Sequence, residues 1–398
     1  MPGPRAAAPL QRGRKNVRSE EFINGYEYLD MLRKQNGKET QSFTDFSEYL
    51  EDKARKQGIP MHGQFELTPL CNLNCRMCYV HLTPEQMGDR SLLSVEQWKE
   101  AMRQAVEGGM ISAALTGGEC LAYPGFDELY LYLHSLGCIV DVLTNGVLLD
   151  EKRLRFFQEH PPASIQVTLY GPNEDAYERV TGRRVFHTVL ENLRRVREAK
   201  IPLIITVTPN RALGEDVFET VRTAYSLTKN IIINTSLFTP PGEPWRTGER
   251  EELETEYYVR ILRFYSELRG KEVKEFPESE LPVPGEPCPG CGDREIICGG
   301  GRSGFVMNWK GEMRICNRMT PRSFPLREGF AEAWRKIHSA AVNLPRAAAC
   351  RGCAYEEICG FCPAEAMKFA RPGQKPQALC ERTRYMVSRG VLNVPACD

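Results

Sequence analysis

Six short β-rich runs alternate with amphipathic helical patterns from about residue 62 to residue 240. The predicted strands are Gln64–Leu70, Ser112–Thr116, Cys138–Thr144, Ser164–Tyr170, Leu203–Thr208 and Ile231–Leu237. Strands that alternate with helices at this spacing pair in parallel through right-handed crossovers. The alternation therefore predicts an α/β fold with either a barrel-like or an open doubly wound sheet, and periodicity alone does not choose between them.

Helical patterns lie between and around these strands. Ser94-Val-Glu-Gln97 has the pattern of a capping box and predicts a helix through Glu107. The other predicted helices are Glu20–Gln35, Asp45–Gln57, Phe186–Ala199, Asp216–Thr228 and Glu251–Leu268. A Pro-rich stretch, Phe276–Pro289, reads as a linker, and a hairpin is predicted at Val306–Met313. We therefore expect a mobile basic tail (1–18), a short helical segment (19–61), a core (62–275), and a linker with a cysteine-rich domain (276–398).

Charge and cysteine usage limit the class of protein. The 398 residues include 52 basic and 52 acidic side chains and 15 cysteines. Balanced charge removes the electrostatic case for nucleic acid as an obligatory partner, and no apolar run is long enough to span a bilayer. No secretory h-region follows the basic residues at the start. Because clustered thiols in such a chain more often ligate metal than form disulfides, we expect a cytoplasmic metalloprotein with no nucleic-acid or membrane partner.

A C-x3-C-x2-C loop follows the first predicted strand. It contains Cys71, Cys75 and Cys78. A cubane [4Fe–4S] cluster has four irons, each of which takes an outside ligand that is usually a Cys thiolate. Three thiolates would leave one iron open to chelate a small molecule, which fits a catalytic cluster. Zinc is the alternative, for which this spacing is a poor tetrahedral set.

This loop, placed after the first strand of an α/β chain, resembles the radical S-adenosylmethionine (SAM) superfamily. Thr116–Glu119 ends the second predicted strand and resembles the GGE motif of that family, and Ser164–Gly171 resembles its fourth-strand segment. The resemblance covers residues 62–240 and implies a partial (β/α)6 TIM-like barrel.

The resemblance also implies roles in SAM binding. Gly117, Gly118 and Glu119 would receive the SAM amino group through backbone and carboxylate, and Thr168 would present its hydroxyl to the ribose. Each also has a plainer interpretation, because paired glycines often form turns and Thr is common in strands.

Four further residues near these motifs are candidates. Met77 stands where many family members have an aromatic residue against the adenine, and a Met can pack against a ring face. Arg179, with Arg183 as an alternative, is a candidate for the SAM carboxylate, although a solvated charge explains either residue. Cys120 follows the GGE motif and is a candidate catalytic residue that donates a hydrogen atom or holds a peptide, with core packing as the alternative.

The C-terminal cysteines form a second ordered pattern. Cys298, Gly311, Cys316, Cys350, Cys353, Cys359, Cys362 and Cys380 occur in an order that resembles the SPASM extension, which holds two auxiliary [4Fe–4S] clusters. By this resemblance the first auxiliary cluster would use Cys298, Cys316, Cys362 and Cys291, with Cys288 as the alternative to Cys291. The second would use Cys350, Cys353, Cys359 and Cys380. Two residues separate Cys359 from Cys362 where the family usually has three, and paired zinc knuckles are the alternative.

These resemblances imply a radical SAM/SPASM oxidoreductase with three [4Fe–4S] clusters, one of which binds SAM. Such an enzyme reductively cleaves SAM to a 5′-deoxyadenosyl radical, which abstracts hydrogen from a substrate. The family mostly modifies peptides or proteins, so a ribosomally made precursor peptide or protein is the expected substrate, and flavodoxin or ferredoxin the expected electron donor. The sulfatase-maturing branch has a catalytic Asp where this chain has Asn317, which argues against that branch. The alternatives are a dehydrogenase of a small molecule such as an aminocyclitol and a non-catalytic iron–sulfur electron-transfer protein.

Overall fold

The computed structural model describes residues 41–235, 237, 251–286, 298–319, 323–356, 358–359 and 362–393. The predicted tail (1–18), the predicted helix Glu20–Gln35, and Cys288, Cys291 and Cys397 lie outside these residues. In chain order the helices and strands are α1 (Gln41–Gln57), β1 (His62–Glu66), α2 (Pro84–Met87), α3 (Val95–Glu107), β2 (Ser112–Thr116), α4 (Phe126–Ser135), β3 (Ile139–Thr144), α5 (Glu151–Glu159), β4 (Ser164–Leu169), α6 (Glu174–Thr181), α7 (Phe186–Glu198), β5 (Leu203–Val207), α8 (Asp216–Leu227), β6 (Ile231–Ile233), α9 (Thr255–Leu268), β7 (Gly304–Met307), β8 (Glu312–Arg314), β9 (Ser323–Pro325), α10 (Phe330–Val342), α11 (Pro363–Phe369) and α12 (Gln377–Ser388).

The first six strands form a parallel sheet in the order of the sequence. Each of β1 to β6 pairs in parallel with the next strand along the chain. A doubly wound sheet reverses its strand order at a switch point, and this sheet does not. The partial (β/α)6 barrel is therefore confirmed. The strand order chooses the barrel-like sheet over the open doubly wound sheet, a choice that periodicity left open.

The predicted hairpin is present, and it continues the same sheet. Strand β7 pairs in parallel with β1, from His62 opposite Gly304 to Phe65 opposite Met307. Strands β8 and β9 then follow in antiparallel pairing, so the nine-stranded order is β6-β5-β4-β3-β2-β1-β7-β8-β9. The C-terminal region therefore covers the free edge of β1, an edge that would otherwise expose unpaired backbone groups.

The two faces of the parallel strands have different chemistry. Phe65, Val167 and Ile205 are fully buried on the face that packs against the helices. Their neighbours on the opposite face, such as Gln166 and Thr206, are polar and line a cavity. Successive strand residues point to opposite faces, so this alternation separates an apolar outer core from a polar interior.

The predicted capping box begins α3. The Ser94 hydroxyl accepts a hydrogen bond from the Gln97 backbone N–H at 3.2 Å, and the Gln97 side chain accepts one from the Ser94 N–H at 2.8 Å. The reciprocal bonds satisfy two donors that the first helical turn leaves without partners. None of the helices within the described residues is both long and apolar enough to cross a membrane.

Candidate functional site

A cavity of about 390 Å³ opens at the carboxyl ends of the parallel strands. In parallel α/β folds this end of the sheet is where ligands bind. The lining residues are Gln64, Cys71, Leu73, Cys75, Met77, Cys78, Tyr79, Val80, His81, Thr116, Gly117, Gly118, Leu143, Thr144, Asn145, Gln166, Thr168, Tyr170, Thr206, Thr208, Asn234, Leu237, Asn317 and Arg318. The lining is thus mostly uncharged and polar, with the three loop cysteines grouped on one wall.

The cysteine loop is held in place by backbone hydrogen bonds to α6. The N–H of Asn74 donates to the Thr181 carbonyl at 2.9 Å, and the N–H of Arg76 donates to the Val180 carbonyl at 3.0 Å. The loop is closed at its base by a bond from the Leu82 N–H to the Pro69 carbonyl, 3.0 Å long. The loop therefore has a fixed backbone before any cofactor binds.

The chemistry of the loop thiols fits an iron–sulfur cluster. Burial raises the pKa of Cys71 to about 12 and raises that of Cys75 well above its usual value. Neutral thiols are expected there unless metal ions replace the protons, since metals bind the thiolate. Within the described residues, no three His, Cys, Asp or Glu side chains converge as ligands of a single metal ion. A [4Fe–4S] cluster does not need three side chains to converge on one metal ion, because each thiolate binds a different iron.

Gly117 and Gly118 pack directly against the chain that leads from β1 into the cysteine loop. A Cβ atom on Gly118 would lie 2.3 Å from the Leu70 carbonyl oxygen, and one on Gly117 would lie 2.5 Å from that of Thr68. Gly117 also has a φ of 146°, which side-chain-bearing residues rarely adopt. Both positions therefore require glycine, and both line the cavity.

The Glu119 carboxylate, an expected SAM contact, is hydrogen-bonded inside the fold. This side chain is fully buried and does not line the cavity. Its oxygens accept hydrogen bonds from the Thr144 hydroxyl at 2.7 Å, the Asn145 N–H at 2.8 Å and the Leu121 N–H at 3.1 Å. With these donors the carboxylate joins the end of β2 to the end of β3, and it is turned away from the space where SAM was expected.

The remaining SAM candidates divide into two groups. Met77 and Thr168 line the cavity, as expected of residues near a ligand. Arg179 does not, because its guanidinium forms an ion pair with Asp216 on the outer surface, beside α8. Arg183 is likewise exposed and outside the lining. The geometry thus supports the two uncharged candidates and favours the solvated-charge interpretation of both arginines.

Cys120 is fully buried but lies outside the cavity lining. Its thiol is 3.2 Å from the Leu143 carbonyl oxygen, to which it donates, and burial raises its pKa well above the usual value. A buried, protonated thiol that is bonded to the backbone matches the packing alternative rather than a catalytic role.

Seven of the C-terminal cysteines line two small cavities. Cys298, Cys316 and Cys362 line one small cavity, together with apolar side chains such as Met319. A second small cavity is lined by Cys350, Cys353, Cys359 and Cys380. The fourth predicted member of the first group, Cys291, lies outside the described residues.

Three residues at the cavity, Asn145, Tyr170 and Arg318, received no role in the sequence interpretation. Asn145 and Tyr170 approach the loop thiols from the ends of β3 and β4. Asn317 and Arg318 reach the cavity from the segment after β8. For Asn145 and Tyr170 the sequence carried a usable signal, because each directly follows a parallel strand, and polar residues at such positions meet at one rim of the sheet. The second pair depends on the long-range pairing of β7 with β1, which no local pattern reveals.

Comparisons with known proteins agree with this architecture. Residues 65–224 match the Radical SAM superfamily. The chain is 24% identical over 291 residues to the antilisterial bacteriocin subtilosin biosynthesis protein AlbA of Bacillus subtilis, covering 71% of this chain and 60% of AlbA. It is 30% identical over 182 residues to the PqqA peptide cyclase of Streptomyces rochei, covering 42% of this chain and 50% of that protein. The chain thus spans only about half of the length of these relatives.

Among solved structures, the chain resembles Streptococcus suis SuiB. For SuiB bound to S-adenosylmethionine the TM-score is 0.62 at 14% identity, covering 92% of this chain and 83% of SuiB. The same protein bound to its precursor peptide SuiA also gives a TM-score of 0.62 at 14% identity, over 94% of this chain and 84% of SuiB. At this identity the similarity shows a shared fold.

Proposed function

We propose that the protein is a radical SAM oxidoreductase that modifies a ribosomally made peptide or protein, on the premise that residues 65–224 match the Radical SAM superfamily. The observation that carries the proposal is the grouping of Cys71, Cys75 and Cys78 on one wall of the cavity at the carboxyl ends of the parallel strands. Bound there, a [4Fe–4S] cluster with SAM supplies a 5′-deoxyadenosyl radical that removes hydrogen from a substrate.

The chain's own residues fix and shield this chemistry. The backbone bonds from the cysteine loop to α6 hold the three ligands in place. The barrel surrounds the cavity with neutral side chains, including Gln166, Thr206 and Thr208. An enclosed wall is needed because a reactive intermediate must meet its substrate before it meets water.

Four residues are proposed to contact SAM. Gly117 and Gly118 place backbone groups along the cavity, Thr168 presents a hydroxyl from β4, and Met77 presents a thioether from the cysteine loop. Their support is that they line the cavity beside the three thiols. We do not include Glu119 among the proposed SAM contacts, because its carboxylate accepts hydrogen bonds from Thr144 and Asn145 at the end of β3.

The C-terminal region is proposed to be a SPASM domain with two auxiliary [4Fe–4S] clusters. The support is the separation of seven of the eight predicted ligands into two groups. Cys316 belongs to the first group, and the next two residues, Asn317 and Arg318, line the cavity. A cluster there is separated from the substrate space by a short segment of chain, which suits it to accept an electron from an oxidised substrate.

A peptide substrate is proposed from the relatives. AlbA and the PqqA peptide cyclase act in bacteriocin and peptide maturation by their names, and SuiB has been crystallised with a precursor peptide. Together with the SPASM-like cysteines, this favours a peptide over a small polyol. A flavodoxin or ferredoxin is the proposed electron donor, and the cytoplasm the proposed location.

The test is isotope transfer from a candidate peptide. The reconstituted protein would be incubated anaerobically with SAM, dithionite and a deuterated peptide encoded beside its own gene, with unlabelled peptide and an aminocyclitol as controls. We expect deuterium in the released 5′-deoxyadenosine and a SAM-dependent change in peptide mass. Turnover of the aminocyclitol, with no transfer from any neighbouring peptide, would replace the peptide proposal by the small-molecule alternative.

A further inference from the structure

The side-chain amide of Asn145 lies beside the sulfur of Cys71. Asn145 is the first residue after β3 and is only 6% exposed. Its Nδ2 is 3.5 Å from Cys71 Sγ and 2.6 Å from Asn72 Oδ1. An amide nitrogen carries two hydrogens, so it can donate one to each acceptor.

Neighbouring bonds fix which end of the amide faces the sulfur. Asn145 Oδ1 accepts a hydrogen bond from the Val147 backbone N–H at 3.0 Å. If the amide were rotated by half a turn, its N–H groups would face the N–H of Val147, and its oxygen would face both Asn72 Oδ1 and the sulfur. The donor orientation is therefore imposed by the surrounding structure and needs no cofactor to select it.

The backbone of Asn145 is held by Glu119. Glu119 Oε2 accepts from the Asn145 N–H at 2.8 Å, while Oε1 accepts from Thr144 and Leu121. The Glu119 carboxylate is thus saturated with donors at the junction of β2 and β3. It is a positioning residue, since it holds the Asn145 backbone and does not line the cavity.

We propose that Asn145 raises the reduction potential of the cluster held by Cys71, Cys75 and Cys78 by donating a hydrogen bond to the Cys71 sulfur, and that Glu119 holds it in place to do so. This inference rests on the proposed function, because it requires the cluster. A reduced cluster carries more negative charge on its thiolates, so an N–H donor stabilises the reduced form more than the oxidised form.

Side-chain and backbone groups both donate to these thiols, and the side-chain donors include Tyr170 at Cys75 and Asn145 at Cys71. Cys71 also accepts from the Leu73 N–H at 3.4 Å, and Cys78 accepts from the His81 N–H at 3.3 Å. Those are backbone donors, which no substitution removes. Asn145 supplies a side-chain donor, so its contribution to the potential can be isolated by mutation.

The test is an EPR-monitored redox titration of the reconstituted full chain, with the cluster of interest identified by the change in its signal when SAM is added. In Asn145→Ala we expect a lower midpoint potential than in the wild type. Asn192→Ala is the matched control, because Asn192 Nδ2 bonds the Gly146 and Val147 carbonyls of the same turn but contacts no thiol. We expect its potential to equal that of the wild type. Glu119→Gln removes a negative charge that acts on Cys71 as well as the acceptor that holds Asn145, so its effect is read from the ¹⁵N coupling of Asn145 described below, which should be weaker than with Glu119 in place.

An unchanged potential in Asn145→Ala, or an equal shift in Asn192→Ala, would overturn the inference while leaving the proposed function intact. An undiminished ¹⁵N coupling of Asn145 in Glu119→Gln would overturn the positioning role. A wild-type protein with no SAM-sensitive cluster signal would instead overturn the proposed function itself.

A second measurement tests the inference even if the Asn145→Ala variant fails to assemble its cluster. In Asn72→Asp/Asn74→Asp protein labelled with ¹⁵N-asparagine, which carries no label inside the cysteine loop, pulsed EPR of the reduced SAM-sensitive cluster should detect a ¹⁵N coupling from Asn145. Its absence would overturn the inference.

Discussion

The guanidinium of Arg76 donates a hydrogen bond from Nε to the carboxylate of Glu251 at 2.7 Å. Arg76 lies inside the cysteine loop, whereas Glu251 lies just before α9, and Glu251 is almost fully buried. The second carboxylate oxygen of Glu251 accepts from the Ala212 N–H at 3.1 Å. One buried side chain therefore joins the cysteine loop to two segments that come much later in the chain.

Replacing Glu251 should loosen this junction. In Glu251→Gln an amide N–H₂ must face either the Ala212 N–H or the Arg76 guanidinium, and the hydrogen bond lost is worth about 0.5–1.5 kcal/mol. We expect a lower apparent Tm and faster loss of iron to a chelator. Glu254→Gln is the matched control, since Glu254 is 90% exposed and its removal should change stability by less than about 0.5 kcal/mol. Equal effects of the two substitutions would contradict the structural role of Glu251.

Adding a methyl group at Gly118 should disrupt the rim of the cavity. The new Cβ would lie 2.3 Å from the Leu70 carbonyl oxygen, and such overpacking costs about 1–3 kcal/mol. We expect Gly118→Ala to lower both stability and SAM affinity, as measured by thermal unfolding and calorimetry. Gly304→Ala is the control, because its Cβ would meet its nearest atom at an ordinary 3.5 Å. A Gly118→Ala protein with wild-type SAM affinity would show that the backbone here does not form the binding surface.

Thr168 and Arg179 make opposite predictions for SAM binding. Thr168 lines the cavity, so Thr168→Val should weaken SAM binding by the value of one hydrogen bond, about 0.5–1.5 kcal/mol or about 2- to 13-fold in Kd. Arg179 is paired with Asp216 on the surface, so Arg179→Ala should leave the Kd unchanged. Calorimetric titration of each variant with SAM measures both Kd values. An unchanged Kd in Thr168→Val together with a raised Kd in Arg179→Ala would reinstate Arg179 as the contact to the SAM carboxylate.

Removing a thiol from the second C-terminal group should cost one cluster. The wild type should bind about twelve irons per chain if three four-iron clusters are present. In Cys359→Ala we expect about four fewer, because Cys359 shares a cavity with three other cysteines. Cys138→Ala is the control, since Cys138 lies away from all three cysteine groups and packs in the core. Iron content that is equal in Cys359→Ala and in the wild type would remove the second auxiliary cluster from the account.

The sequence predicted the individual strands better than it predicted the contacts between segments that are far apart in the chain. Ser112–Thr116 is observed as predicted, because alternation within a strand is a local property. The first strand was predicted to reach Leu70 but ends at Glu66, since the residues after it turn to receive Gly117 and Gly118. The parallel pairing of β7 with β1 depends on segments far apart in the chain, which single-sequence patterns do not connect.

The same limit applies to the candidate site. The C-x3-C-x2-C spacing indicated the first group of thiols, and the resemblance to the SPASM order implied the other two. Neither predicted that Glu119 turns towards Thr144 and Asn145, since that depends on the relative position of two strand ends. The motif located the residue correctly, and only the structure shows which atoms it contacts.

The most direct test of the central claim is SAM cleavage by the three-cysteine loop. Wild-type protein and the triple variant Cys71→Ala/Cys75→Ala/Cys78→Ala would be reconstituted anaerobically and incubated with SAM and dithionite, and 5′-deoxyadenosine would be quantified by chromatography. We predict SAM-dependent 5′-deoxyadenosine from the wild type and none from the triple variant, which should retain the iron of its C-terminal groups. An iron-replete wild type that releases no 5′-deoxyadenosine, or a triple variant as active as the wild type, would contradict the account.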